Sequence, residues 1–250
     1  MPRLDKLLNE LEAFYGQQEP GWPLDPYLFL LWWHSGYPPS DASCQKGWES
    51  LTGRIGTDPE RLLSANPRKL ALALKPGGLV PELRAMRLKE IAERLQKEFG
   101  GDMGAALKAM PIAHARASLK KFPGIADPGA DRVLLFGGIS PVAAVPSNCT
   151  HVLVRIEQGQ ERENYGQNYK LGQQLIAAAF PAKSSGRSPV AVPDRETFDA
   201  RIRAYLLLKC HGQKICKRTN PKCSACPVSA LCAYFAGKMG GCPTPDGGCS

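Results

Sequence analysis

Four cysteines lie within seventeen residues of the chain, Cys216, Cys223, Cys226 and Cys232, in the pattern C-x6-C-x2-C-x5-C. Thiolate sulfur binds soft metals, so four clustered thiols indicate either a zinc site or an iron–sulfur cluster. Zinc ribbons usually join two CxxC pairs by a longer loop. Here a single CxxC pair has one outlying cysteine on each side, which allows a compact loop to surround a cubane with one thiolate on each iron. The spacing is compatible with a [4Fe–4S] cluster and leaves zinc as the other candidate.

The remaining cysteines show no disulfide pattern. The total of nine is odd, and the first residues form an amphipathic pattern that contains acids, unlike a signal peptide. We therefore expect an oxidised framework to be absent and Cys210 to be a small buried residue. Cys242 and Cys249 fall in a low-complexity tail, residues 237–250, that is predicted to be disordered.

Basic residues are concentrated around the four thiols. The chain carries a formal net charge of +9, and residues 201–240 contain eight Lys or Arg and no Asp or Glu. A cationic surface attracts a polyanion, because each neutralised phosphate releases condensed counterions. Charge alone does not exclude a solubilising role, but cations placed between metal-binding cysteines favour a nucleic acid partner.

Apolar residues recur with a period near 3.6 and strand-like alternation is scarce, so the sequence predicts an all-α protein. In the longest expected helix, Leu83, Met86, Ile91, Leu95 and Phe99 are predicted to form the buried stripe. No stretch approaches the about 18 uninterrupted apolar residues that a membrane helix needs. Helices are expected at residues 3–15, 26–34, 44–55, 59–63, 67–74, 80–99, 102–109, 114–121, 128–136, 149–156, 165–179 and 195–211.

The segment "LKKFPGIADPGADRVLLF" predicts two helices joined by a tight turn at Pro123 and Gly124. Together with the cysteine pattern and the "HG" at residues 211–212, it resembles the endonuclease III and MutY superfamily of helix-hairpin-helix DNA glycosylases. The usual hairpin is close to LPGVGxKTA, and here its second glycine is replaced by Ala126. The segments "GGLVPELRAMRLKEIAERL" and "AAVPSNCTHVLVRI" resemble two further family segments in the correct order, so the resemblance covers residues 26–234.

The resemblance implies a two-lobed fold with a [4Fe–4S] cluster and a double-stranded DNA partner. Residues 21–130 would form a six-helix barrel lobe that ends in the hairpin, and residues 1–20 with 131–236 would form the iron–sulfur lobe. The cluster would be held by the four cysteines. DNA phosphates would be contacted by two groups of residues: the hairpin at Gly124, Ile125 and Ala126, and the cysteine loop at Lys217, Arg218 and Lys222.

The family's catalytic positions are not retained. The lysine that forms a Schiff base in bifunctional members falls on Pro128, and the aspartate that precedes the "TH" falls on Asn148 or Cys149, according to the direction of counting. Asp127 and Asp131 flank the hairpin and are candidate substitutes, although a helix-capping role is the simpler interpretation of Asp131. Cys149 as a nucleophile has no identified base.

Other positions suggest contacts with bases or protons. Tyr37 lies near the position of the polar wedge with which relatives fill the space left by a flipped base. His34 and His151 are candidate acid–base groups, with a structural role as the alternative.

Two classes of function follow. The first is a base-excision-repair protein that recognises damaged or modified bases with altered or no lyase chemistry. The second is a non-catalytic binder, or redox sensor, of distorted DNA, and RNA binding is a weaker third. We expect a cytoplasmic monomer that does not use a membrane and that, in a bacterium, associates with the nucleoid.

Overall fold

The computed structural model describes residues 2–182 and 195–239, and these residues form helices joined by short loops. Among them no β-strand forms, and one isolated bridge pairs Tyr37 with Gly78. The all-α prediction is confirmed. The α-helices are α1 (Pro2–Tyr15), α2 (Pro26–His34), α3 (Asp41–Arg54), α4 (Pro59–Ser64), α5 (Pro67–Leu74), α6 (Pro81–Phe99), α7 (Met103–Ala109), α8 (Ile112–Lys120), α9 (Asp127–Phe136), α10 (Thr150–Gln158), α11 (Tyr165–Ala179), α12 (Arg195–Lys214) and α13 (Ala233–Met239).

Helix starts follow from a local sequence signal, an Asp or Asn directly before a proline. Asp25 accepts a hydrogen bond from the Leu28 amide, and Asp58 accepts one from the Arg61 amide, each at 2.9 Å. Asn66 caps α5 in the same way. The side chain satisfies an amide that has no partner within the helix, and the proline occupies a position where no amide proton is needed.

The chain divides into two compact units. The hairpin unit is residues 20–140 and holds α2–α9; the cysteine unit is residues 2–19 together with residues 141–182 and 195–239. The sequence placed the boundary between residues 130 and 131, inside α9, whereas the observed boundary follows the end of that helix.

In the hairpin unit, α6 buries three of the five residues expected in its apolar stripe, namely Ile91, Leu95 and Phe99. Leu83 and Met86 are 42% and 69% exposed, so their assignment to the stripe is wrong. In the first turns of the helix, packing against α4 and α5 covers Arg84, Ala85 and Leu88 instead. The buried stripe contains Arg84, Ala85, Leu88, Ile91, Ala92, Leu95 and Phe99.

In the cysteine unit, the first helix completes a core made by the second half of the chain. Leu4, Leu7, Leu8 and Leu11 are buried along one face of α1. They belong to one apolar cluster with residues of α10, α11 and α12, among them Val152, Leu153, Ile156, Ile176, Leu207 and Leu208. A helix at the start of the chain is thus part of the unit that holds the four cysteines.

Two smaller predictions have mixed outcomes. Cys210 is buried, as expected. The tail predicted to be disordered from residue 237 is helical at its start, because α13 continues to Met239; Cys242 and Cys249 lie outside the described residues. Of the helices that the structure describes, none combines the length and apolar character needed to cross a bilayer.

Candidate functional site

The predicted helix–turn–helix is present between α8 and α9. Gly124 has φ +68°, in the left-handed region that glycine tolerates, and the Ile125 amide donates to the Phe122 carbonyl at 3.2 Å to close the turn. The Ala130 amide then donates to the Ala126 carbonyl at 2.9 Å and begins α9. Gly124 and Ala126 are exposed, whereas the Ile125 side chain is buried. The surface of this turn is therefore mostly backbone.

The two acids beside the hairpin have different surroundings. Asp131 is 1% exposed, and its Oδ1 lies 2.7 Å from Nε and 2.5 Å from an Nη atom of Arg116. This ion pair joins α8 to α9 across the turn. Asp127 is exposed and lies 2.7 Å from the Lys120 ammonium. The buried carboxylate is thus engaged by a guanidinium of the same hairpin, and the exposed one forms a surface pair.

His34 lies against the inner side of the hairpin. It is buried, and its Cε1 would be 3.9 Å from a Cβ added at Gly124. Burial, together with the nearby charge of Arg87, lowers the pKa of His34 to about 4. Its Nε2 has no hydrogen-bond partner among the described residues. A neutral, packed imidazole matches the structural interpretation better than that of an acid–base group.

Tyr37 forms one half of an exposed apolar pair that the sequence did not indicate. The Leu79 amide donates to the Tyr37 carbonyl at 2.9 Å, and Tyr37 and Leu79 are 43% and 62% exposed. The next residue, Val80, has φ +48°, a strained conformation for a β-branched side chain. Tyr37 and Leu79 lie 42 residues apart in the sequence, and this backbone hydrogen bond joins their two loops.

Arg84 holds these two loops together from inside the protein. Its guanidinium is buried and donates to the carbonyls of Ser35 at 2.6 Å, Gly78 at 2.8 Å and Leu79 at 2.9 Å. A single guanidinium therefore takes the place of water as the hydrogen-bond donor to all three carbonyl oxygens. The sequence signal that could have identified Arg84 is its position four residues before Leu88, which places both side chains on the same, buried face of α6.

The four predicted ligands line one hollow in the cysteine unit. Cys216, Cys223, Cys226 and Cys232 are free thiols, each partly buried, and all four line this hollow. The wall also contains His211, Ile156, Ile215, Pro221, Tyr234 and Phe235. Burial raises the pKa of the Cys216 thiol to about 11 and raises that of Cys226 as well. In the absence of a metal such thiols resist ionisation. A metal that displaces the proton stabilises the thiolate form.

The cysteine unit brings the four thiols to the wall of one hollow with mostly apolar neighbours. Within the described residues, no group of three or more His, Cys, Asp or Glu side chains is arranged to hold one metal ion. A cubane would bind one iron to each thiolate, so it would not require the four sulfurs to meet at one point.

The loop between the first two cysteines is fixed through its backbone and presents its side chains outward. Arg155 donates to the carbonyls of Lys217 at 2.9 Å and Arg218 at 2.8 Å, and its own charge is paired with Glu161 at 2.5 Å. His151 Nε2 lies 2.7 Å from the Cys216 carbonyl oxygen, which indicates a structural role. Lys217, Arg218 and Lys222 are exposed, and Arg218 also lies 3.3 Å from Glu161.

The positions that the resemblance assigns to catalysis carry no carboxylate or amine. Pro128 lies in the first turn of α9, and Asn148 is exposed on the short 3-10 helix Ser147–Cys149. Cys149 is buried, and its sulfur donates weakly to the Lys209 carbonyl at 3.7 Å. A Cβ added at Gly212 would lie 2.5 Å from that sulfur, so Cys149 packs directly on the backbone of α12. This thiol is part of the core.

Comparison with known proteins agrees with this geometry. No protein-family model matches the sequence. A thymine-DNA glycosylase from Aeropyrum pernix is 25% identical over 244 residues, which cover 93% of this chain and 94% of that protein. A solved thermostable thymine-DNA glycosylase superposes with a TM-score of 0.68 at 20% identity, covering 94% of this chain and 98% of the other. An endonuclease III–DNA complex superposes with a TM-score of 0.67 at 17% identity, covering 95% and 97%.

The chain has the endonuclease III fold.

The resemblance predicted from the hairpin and the cysteine pattern is thereby confirmed at the level of fold. A 3-methyladenine DNA glycosylase from H. pylori, solved with 1,N6-ethenoadenine, superposes less well, with a TM-score of 0.57 at 17% identity, covering 84% of this chain and 97% of the other. The endonuclease III fold therefore accounts for the hairpin unit and the cysteine unit together, because the matches with the highest overlap extend through both.

Proposed function

We propose that this chain is a base-excision-repair protein that binds double-stranded DNA as a monomer and recognises a damaged or modified base in the manner of a DNA glycosylase. The observation that carries the proposal is the sequence match to a thymine-DNA glycosylase along nearly the full length of both proteins. A match of that extent includes both structural units, so a single shared motif does not explain it.

The hairpin supplies a contact for one phosphate. Its turn exposes the backbone at Gly124 and Ala126, next to the N-terminus of α9. Amide groups and the positive end of a helix dipole stabilise an anion without reading its sequence. The ion pair between Arg116 and Asp131 supports this role because it fixes the two helices that carry the turn.

The cysteine loop supplies a second set of phosphate contacts. Arg155 holds the backbone at Lys217, and the Lys222 amide donates to the Ile215 carbonyl at 3.0 Å, so both charges are presented by a fixed loop. Arg218 shares Glu161 with Arg155 and contributes less net charge. Contacts of this kind account for affinity and salt dependence rather than for recognition of the base.

Tyr37 and Leu79 are suited to fill the space left when a base leaves the stack. Proteins that extrude a nucleotide pay for lost stacking, and apolar or aromatic side chains inserted at the gap recover part of it. Two exposed apolar side chains on loops held by a buried arginine are a rigid form of such a wedge. The strained backbone at Val80 supports a functional role, because strain of this kind concentrates at binding sites.

We propose a [4Fe–4S] cluster as the cofactor, bound by Cys216, Cys223, Cys226 and Cys232, with zinc as the alternative. When bound, it supplies cross-links that give a segment without a large core a fixed shape. The loop between Cys216 and Cys223 is then fixed, and the side chains of Lys217 and Lys222 extend from it toward the phosphates.

The chemistry at the sugar differs from that of a lyase. Without an amine at Pro128 the chain forms no Schiff base there, so a released base leaves an intact strand with an abasic site. Asn148, one of the two residues at the position of the family aspartate, is exposed and can orient a water molecule through its amide, but it adds no negative charge to stabilise an oxocarbenium ion. We therefore expect slow base release.

A non-catalytic binder of distorted DNA is the second candidate. It is favoured by the pairing of Asp131 with Arg116, which engages the buried carboxylate beside the hairpin in a structural contact. Such a protein would use the same phosphate contacts and the same wedge, but would release no base.

Duplex substrates distinguish the two candidates. Purified protein is incubated with 5′-labelled duplexes that contain a mismatched thymine, uracil, an alkylated purine, an oxidised pyrimidine or an abasic site, and half of each reaction is treated with alkali. Alkali-dependent breaks above a heat-inactivated control support the glycosylase. Tight binding to one lesion without breaks on any substrate supports the binder. Lesion-independent binding contradicts both, and a covalent adduct trapped by borohydride contradicts the absence of a Schiff-base amine.

The cofactor is tested separately. Protein purified without oxygen should contain about four irons per chain and a broad visible absorbance that decreases on reduction with dithionite. One zinc per chain without colour would establish the alternative. Serine in place of Cys223 and Cys226 should remove the metal in either case.

A further inference from the structure

His211 is the one histidine among the described residues that lines the hollow of the four cysteines. It lies in the last turn of α12, five residues before Cys216, and is buried. Its Nε2 lies 3.7 Å from the Cys226 sulfur, and its Nδ1 lies 2.9 Å from the Tyr15 hydroxyl oxygen. Both nitrogens of a buried imidazole thus have partners, one on α1 and one on the CxxC pair.

These contacts fix the ring in one protonation pattern when Cys226 binds a metal. A metal-bound thiolate carries no proton and can act only as an acceptor, so the proton must be on Nε2. Nδ1 then has only a lone pair, and the Tyr15 hydroxyl must donate to it. The opposite tautomer would direct a nitrogen lone pair at the thiolate and leave Tyr15 without an acceptor.

We propose that His211 donates an N–H···S hydrogen bond to Cys226 and that Tyr15 positions it, so that this pair sets the reduction potential and the iron retention of the bound cluster. This inference rests on the [4Fe–4S] cofactor proposed above. Hydrogen bonds to cluster sulfurs stabilise the more negative, reduced state and therefore raise the potential. Partners in this outer layer also orient the ligand and slow its release.

The remaining surroundings of Tyr15 hold its ring in place beside His211. The Lys214 ammonium lies 5.2 Å from the centre of the Tyr15 ring, and the Tyr15 and His211 rings are 6.0 Å apart between centroids. Tyr15 packs at the edge of the apolar cluster that contains Leu7, Leu8 and Leu11. The tyrosine is therefore held by the packing of the first helix, and that helix acts on a site 196 residues away in sequence.

The test compares Tyr15→Phe, His211→Leu and His211→Gln with the natural chain. Tyr15→Phe keeps the ring and removes only the donor to Nδ1, and Gln can place an amide N–H near the position of Nε2. The matched control is Tyr27→Phe, which removes a tyrosine hydroxyl bonded to the Thr57 carbonyl at 2.8 Å in the hairpin unit. For each protein, iron per chain, the potential by film voltammetry, and the rate of iron loss to a chelator are measured.

We expect all five proteins to bind iron when loaded without oxygen. Tyr15→Phe and His211→Leu should shift the potential to more negative values and lose iron several-fold faster, while His211→Gln should lie closer to the natural chain and Tyr27→Phe should match it. In the natural chain, the reduced cluster should show coupling to a histidine nitrogen and an exchangeable proton by pulsed EPR.

Two contrary results have different meanings. If the natural chain binds iron but Tyr15→Phe and His211→Leu leave both the potential and iron loss unchanged, the hydrogen bond has no influence and this inference alone is overturned. If the natural chain binds no iron under any loading condition, the cofactor proposal is overturned and this inference with it.

Discussion

Oδ1 of Asp131 accepts a hydrogen bond from Nε of Arg116 at 2.7 Å, and this contact links the two helices of the hairpin. The carboxylate is 1% exposed, whereas 35% of the arginine side chain is exposed. A buried carboxylate that loses this cation loses a charge-assisted contact while it remains desolvated. The hairpin is thus stabilised by an acid that the sequence alone presented as a possible catalytic group.

Removing either partner should destabilise the protein. We expect Arg116→Met or Asp131→Asn to cost about 2–3 kcal/mol in urea unfolding, near the lower end for buried pairs because the arginine is partly solvated. A double-mutant cycle should show coupling between the two residues. The control is Asp127→Asn at the exposed pair with Lys120, which should change stability by less than about 0.5 kcal/mol. An Asp131→Asn protein of normal stability that lacks base release would assign Asp131 to catalysis instead.

The hairpin turn should lose DNA affinity when its glycine is replaced. Gly124→Ala puts a side chain at φ +68° and should cost about 1–2 kcal/mol of stability, since an added Cβ has room but the backbone is strained. Gly138→Ala is the matched control, because Gly138 is exposed in the same unit with φ +61° and open space around it. Fluorescence anisotropy with a lesion duplex should show weaker binding for Gly124→Ala only. Equal losses in both would assign the effect to stability alone.

The cysteine loop should control the salt dependence of binding. Lys217→Gln and Lys222→Gln should each reduce the slope of log K against log salt by about 0.9 if the lysine contacts a phosphate. The control, Lys97→Gln, removes an exposed lysine of the hairpin unit that pairs with Glu93. An unchanged slope in the double lysine variant would remove the loop from the DNA interface.

His34 should make stability fall in mild acid. Its pKa is lowered from 6.5 to about 4 in the folded state, so between these values the unfolded chain binds more protons and stability decreases as pH falls. Above pH 6.5 the contribution is fully present, and by about pH 4 it is lost, for a total of up to about 3 kcal/mol.

Urea unfolding of the natural chain and of His34→Gln between pH 7.5 and 4 measures this effect as a difference of slopes. The control is His114→Gln, since His114 is exposed. Parallel pH profiles for the natural chain and His34→Gln would show that the imidazole is not buried in its neutral form.

Gly212 should be intolerant of a side chain for reasons of packing. An added Cβ would lie 2.5 Å from the Cys149 sulfur and 2.9 Å from Cγ2 of Val152, so Gly212→Ala should cost about 1–3 kcal/mol. Cys149→Ala in the same chain should recover part of the loss by removing the sulfur. Gly237→Ala on α13, where nothing lies within 4 Å, is the control and should not destabilise. Full stability of Gly212→Ala would contradict the close packing of α10 on α12.

The parts of the molecule that could be predicted from the sequence are those with local signals. Asp–Pro and Asn–Pro pairs mark helix starts, and Pro123 with Gly124 marks the hairpin, because caps and turns depend on a few adjacent residues. The four cysteines were recognisable for the same reason: their spacing alone restricts what a compact loop can surround.

Contacts between distant segments were not predictable in this way. Periodicity could not distinguish the exposed Leu83 and Met86 from the buried face of α6, because which stripe is covered depends on the neighbouring helices. The guanidinium of Arg84 contacts the carbonyl of Ser35, which lies 49 residues away in the sequence. Tyr15 contacts His211, which lies 196 residues away. Such partners are set by tertiary packing, which no window of adjacent residues records.

The division of the cysteine unit between residues 2–19 and residues from 141 onward has a consequence for synthesis on the ribosome. Residues 20–140 emerge as a continuous unit and can fold while translation continues. The leucines of α1 emerge before this unit, yet their partners on α10 and α12 are translated more than 130 residues later. The nascent chain therefore carries an uncovered apolar segment while those residues are made, which makes α1 a natural binding target for chaperones that act at the exit tunnel.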